Sequence, residues 1–138
     1  MILQQVSLFL ENRSGQLAAI TGLLAENGID LRAINVAETA DYGIVRLIVS
    51  DPERTSQLLL SHELISAMSP VVAAQVPDRP GGLHSLLDLI QANNIDISYM
   101  YSIFGRSNGL AGMIFRVSDP EALEQLLLTN GIPSDAGF

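Results

Sequence analysis

The chain repeats itself once, and that repeat limits the folds open to it. NRSGQL at 12–17 recurs as DRPGGL at 78–83, and ENGIDL at 26–31 recurs as ANNIDI at 92–97, both displaced by 66 positions. After an insertion of two residues, VSDPE at 49–53 returns at 117–121 and QLLL at 57–60 returns at 125–128. Two copies of one unit fill the 138 residues, with modules expected at 1–69 and 70–138. A unit of roughly 65 residues is close to the smallest that folds alone, so a tandem pair is expected to share buried surface.

Within the first copy, residues 4–10 (QQVSLFL) read as a strand and 11–15 as a turn. Leu17, Ile20, Leu23 and Leu24 then recur at helical spacing up to Gly28, a left-handed C-terminal stop. Residues 29–38 and 42–50 read as an antiparallel pair across a turn containing Asp41. Asp51 caps a second helix with Pro52 at its first position. Residues 63–68 are expected to close the module, and Pro70 to separate them from the strand at 71–76 that opens the next. The second copy repeats the order with helix 81–93, strands 95–104 and 111–118, and helix 120–130. Its last strand is expected to be short or absent, and the glycine-rich stretch 104–112 to be a flexible loop lacking the lysine and spacing of a phosphate-binding loop. The order βαββαβ gives an α+β fold: two ferredoxin-like modules in tandem, each an antiparallel sheet with its helices on one face.

Composition and charge exclude several kinds of function. With 48% hydrophobic and 16% charged residues the chain can bury a large aliphatic core and is too apolar to be disordered. Its net charge of -8 and its seven scattered Lys and Arg argue against nucleic acid and anionic membrane as partners. The lack of cysteine removes thiol nucleophiles, disulfides and thiolate metal sites. No apolar run approaches the ~18 residues of a membrane span, and a basic start followed by a long apolar run is missing, so a cytoplasmic setting is expected. His62 and His84 sit at unrelated positions of the two copies without a nucleophile motif, and no metal-ligand spacing occurs. No catalytic residue, metal or cofactor is expected.

The turns between first strand and first helix carry the functional signal. A helix entered there exposes its first N–H groups, which suit a carboxylate. Gly15 and Gly81 remove the side chain where a ligand would approach, and Asn12 and Asp78, three residues earlier, offer an oxygen. That oxygen can cap the helix or accept from a ligand ammonium, and an α-amino acid carries both complementary charges. Were the backbone at Gly81 to take a negative φ, Gly81→Val would fill the site at little cost in stability. Arg13 and Arg79 read as solvent-facing turn residues and His84 as partly buried helix surface, each with ligand contact as the other reading. Tyr99, Met100, Tyr101 and Phe104 serve either packing between modules or a stacking wall.

An apolar strand, then N/D-R-x-G-x-L, then a helix ending in N-G-I-D or N-N-I-D resembles the ACT domain family of amino-acid-sensing modules. The resemblance covers nearly the whole chain in two copies and looks like the stand-alone tandem ACT proteins. It implies a small ligand, an amino acid, lying against the turn at a seam between domains. The residues carried over are Asn12, Gly15, Gln16 and Leu17 in the first copy and Asp78, Gly81, Gly82 and Leu83 in the second. Residues 27–31 or 93–97 would then contribute from across the seam. A carboxylate at Asp78 against an amide at Asn12 favours the second copy for the ammonium, and Pro80 and Gly82 in place of Ser14 and Gln16 make the two turns chemically unequal. Two functions follow: a homodimeric, non-catalytic sensor that signals to a partner enzyme of amino-acid metabolism, or a ligand-free assembly subunit that pairs with an enzyme through the same surfaces.

Overall fold

Ten elements follow the expected order: β1 (Ile2–Glu11), α1 (Gln16–Glu26), β2 (Leu31–Glu38), β3 (Tyr42–Val49), α2 (Pro52–Ser61), β4 (Ser66–Pro77), α3 (Gly82–Ala92), β5 (Ile97–Ser107), β6 (Leu110–Val117) and α4 (Pro120–Thr129). The structure, a computed structural model, describes residues 1–11, 13–38 and 42–134, with residues 106 and 107 as backbone only. The expected turn at Asp41 lies outside the described residues. The chain divides into two compact units, one of Gln4–Ser69 and one of Pro70–Phe138 joined by Met1–Leu3.

In the first unit β3 lies between β1 and β2 and runs antiparallel to both, with Leu10 opposite Gly43 and Val36 opposite Val45. Alternate residues Val6, Leu8 and Leu10 of β1 and Val45, Leu47 and Val49 of β3 share one buried cluster. Ile20 and Leu24, one helical turn apart on α1, and Leu59 of α2 close it from above. The second unit repeats this arrangement with β6 central, Val72 of β4 and Met100 of β5 both facing Phe115. Val72, Ala74, Val76, Phe115 and Val117 pack there against Leu86 and Ile90 of α3 and Leu123 and Leu127 of α4. Each unit is therefore a ferredoxin-like module built on an aliphatic core.

Local chemistry sets the helix ends. Asp51 and Asp119 accept from the amides of Arg54 and Ala122, each at 3.1 Å, and Pro52 and Pro120 begin the helices behind them. All four helices end in a left-handed residue, at Gly28, Glu63, Asn94 and Gly131. The next amide, of Ile29, Leu64, Ile95 or Ile132, reaches back five residues to a helix carbonyl, and an apolar side chain lands on the core.

Two expectations are corrected. Pro70 does not separate two strands, since β4 runs unbroken from Ser66 to Pro77. Proline removes one donor but keeps its carbonyl, and that of Pro70 accepts from the Arg116 guanidinium at 2.8 Å. The stretch 104–112 is a β-hairpin rather than a flexible loop: Asn108 and Gly109, with φ of 53° and 74°, form a tight turn whose twist matches the flanking strands. Strand β5 accordingly extends to Ser107, with an irregularity between Ser102 and Arg106 at the left-handed Gly105. After α4, residues 131–134 form no strand. Instead Pro133 accepts from the amide of Gln75 at 2.7 Å, while the carbonyl of Met1 accepts from Ala73 two residues away on the same edge of β4.

Candidate functional site

The two helices of each module begin differently. While α2 and α4 are capped by aspartate, α1 and α3 are entered through Gly15 and Gly81, both at φ 86°, and neither glycine can supply a capping side chain. The turn before each helix is built alike. The amide of Arg13 donates to Glu11 at 2.8 Å and that of Arg79 to Pro77 at 2.9 Å, then Gln16 and Gly82 donate to the carbonyls of Arg13 and Arg79. Ala19 and Ser85 donate to the carbonyls of Gly15 and Gly81. By helix geometry the amides of Leu17 and Ala18, and of Leu83 and His84, have no intrahelical partner, so each helix start presents positive partial charge.

Both glycines are exposed, and a Cβ on either would meet no atom within 4 Å. The left-handed φ, rather than crowding, is why glycine stands there. The condition under which Gly81→Val would cost little stability, a negative φ at Gly81, is not met, and any L side chain is strained at the φ found there.

Other candidate residues are placed less symmetrically. Asn12 lies outside the described residues. Gln16 is half-buried and Leu17 is 40% exposed on the first turn of α1. Asp78 is exposed, and its amide donates to the carbonyl of Gly109, tying the β5–β6 hairpin to the turn. Gly82 is buried, and a Cβ on it would overlap the carbonyl oxygen of Pro77. Leu83 packs against the second core. Arg13 pairs with Glu11 at 2.9 Å on the surface, and His84 with Asp88 one helical turn on. Tyr99 and Tyr101 stack on one another with ring centroids 6.4 Å apart. Residues 27–31 sit at the opposite end of the first sheet from the turn, since Leu31 faces Val49 whereas Glu11 faces Tyr42, so within one unit they cannot reach it.

Sequence reasoning did not find the wall of the first site. A cleft of about 90 Å³ lies against the turn, bounded by Glu11, Arg13, Gln16 and Leu17 on one side and by Val36, Gly43 and Val45 on the other. Val36 and Gly43 come from β2 and β3, and only the strand register brings them to the end of β1. Nothing local in the sequence around Val36 or Gly43 marks them. Among the described residues no helix is long and apolar enough to cross a membrane, and no group of three His, Asp or Glu is placed to hold a metal ion.

Known proteins share this architecture. The family model described as "ACT domain pair" matches residues 1–133. A crystal structure of a protein from Bacteroides thetaiotaomicron is 36% identical with a TM-score of 0.88, over 96% of this chain and 90% of that one. The ligand-free regulatory subunit of aspartate kinase from Thermus thermophilus has a TM-score of 0.66 at 14% identity, over 94% and 96% of the two chains. The corresponding subunit from Thermus flavus has a TM-score of 0.57 at 12% identity, over 94% of each. At such identities the likeness to the kinase subunits is one of fold. No curated protein matches the chain.

Proposed function

This chain belongs to the ACT domain family as a pair of such domains, and from that premise we propose that it is a non-catalytic regulatory protein that binds an amino acid. The ligand carboxylate would meet the first amides of α1 or α3, at the turns of Asn12, Gly15, Gln16 and Leu17 or of Asp78, Gly81, Gly82 and Leu83. One observation carries this reading. Within each module the second helix is capped by its own aspartate, whereas the first is entered through a left-handed glycine with open space where a side chain would stand. Residues 27–31 or 93–97 would have to come from another domain or another chain, which supports a homodimer with the ligand at its seam. Occupancy of that seam would be the signal passed to a partner enzyme of amino-acid metabolism. A cytoplasmic setting suits such a role and a chain without cysteine.

A thermal-shift screen against the standard amino acids tests the reading. A true ligand at about 100 times its Kd adds about 2.7 kcal/mol to stability and raises the midpoint accordingly. Light scattering tests the dimer, which should weigh twice the 14.8 kDa chain. A second reading, the ligand-free assembly subunit, is favoured at the second turn by the burial of Gly82 beneath Pro77, which uses that helix start for packing. A screen in which no amino acid moves the midpoint would select it.

A further inference from the structure

Resting on the amino-acid reading above, we infer that the ligand is an aliphatic α-amino acid, that it binds in the first module only, and that Gly43 sets the depth of its side-chain cleft. The cleft beside the first turn has an apolar floor, since Leu10, Leu17, Val36 and Val45 line it. Its rim holds one charge of each sign, Glu11 and Arg13, 2.9 Å apart and both largely exposed. A zwitterion fits such a rim, its carboxylate between the first amides of α1 and Arg13 and its ammonium towards Glu11, with its side chain turned down onto the aliphatic floor. The cleft, about 90 Å³, is open to solvent at this rim.

The second copy carries different residues at the matching positions. Strand register equates Leu10 opposite Gly43 with Val76 opposite Ala111, and Val36 opposite Val45 with Ser102 opposite Met113. Thus the floor glycine becomes Ala111, the valine becomes Met113, and both side chains join the second core. At the rim Glu11 becomes Pro77, which has no charge, and its carbonyl abuts Gly82. The second turn therefore keeps the left-handed glycine but carries larger side chains at the matching floor positions and no acidic residue at the matching rim position. This ranks the first copy above the second, the reverse of the order suggested by the carboxylate of Asp78.

Gly43 can be changed without disturbing the fold. It is outside the left-handed region, and a Cβ there would meet its nearest atoms, Ala37 O and Val36 Cγ1, at 3.9 Å, ordinary contact. Calorimetric titration of the full chain with alanine, valine, leucine, phenylalanine, lysine and glutamate is the test, on wild type, Gly43→Ala, Val36→Ala and Ala111→Gly. Wild type should bind an aliphatic amino acid best, and lysine and glutamate not measurably. Gly43→Ala should weaken valine by about tenfold or more while its unliganded melting point stays near wild type, since one methyl group in an apolar pocket discriminates about 10- to 200-fold. Val36→Ala should move the preference towards leucine, and Ala111→Gly should leave valine binding unchanged. Valine binding that survives Gly43→Ala, or tighter binding of phenylalanine, lysine or glutamate, overturns this inference and leaves the amino-acid reading standing. Failure of every amino acid to bind wild type overturns both.

Discussion

Gly82 lies so close under the carbonyl oxygen of Pro77 that a Cβ at that position would overlap it. The obstacle is backbone, and it belongs to the strand that leads into the same helix, so neither partner can swing aside. Gly82→Ala should cost about 3 kcal/mol, the upper range for forcing atoms into a packed interior. The matching position in the first copy already carries Gln16, so Gln16→Ala should be nearly neutral. Urea denaturation of both variants measures the contrast, and equal midpoints would mean that α3 can slide away from Pro77.

Gly15 and Gly81 should behave as a pair. Each stands at φ 86° with nothing near the missing Cβ, so replacement by alanine should cost only the backbone penalty of about 1–2 kcal/mol, alike in the two copies. Asparagine should cost less than alanine at either site, because its short polar side chain tolerates the left-handed region. Denaturant midpoints for the four variants check this, and a negligible loss would show that the turn relaxes to a negative φ.

Glu63 is the residue that ends α2, and it takes φ 62° where the repeat places Gly131 after α4, at φ 64°. Glu63→Gly should therefore stabilise the protein by about 1 kcal/mol, relieving the left-handed strain of an exposed residue. Its melting point should rise by a few degrees. Gly131→Glu should lower it by a similar amount, and a change of the same sign in both variants would refute the argument.

The aspartate caps should be interchangeable between copies. Asp51→Ala and Asp119→Ala each remove one 3.1 Å bond to an amide of the first turn and should cost about 1 kcal/mol, whereas asparagine at either position should retain most of it. Guanidinium titrations at neutral pH measure both losses. A much larger cost at one site would mean that its aspartate has a further partner in the assembled protein.

What the sequence alone determined about this protein is its local chemistry and its repetition. The doubled frame, the Asp-Pro starts of α2 and α4 and the left-handed stop at Gly28 all involve residues within about four positions of one another, whose conformations hardly depend on what lies further away. Even the hairpin at Asn108 and Gly109 had its signal in that dipeptide, although the surrounding glycines made the stretch read as a loop. The tertiary structure decided the contacts between residues far apart in the chain. The register of β2, β3 and β1 brings Val36 and Gly43 to the cleft beside Gln16, and a shift of one residue would turn each to the other face of the sheet. The passage of β4 through Pro70, the burial of Gly82 under Pro77 and the docking of Pro133 on Gln75 likewise depend on which backbone groups meet across strands. Periodicity shows that a face is buried, but which residues meet on it is settled only when the sheet closes against its helices.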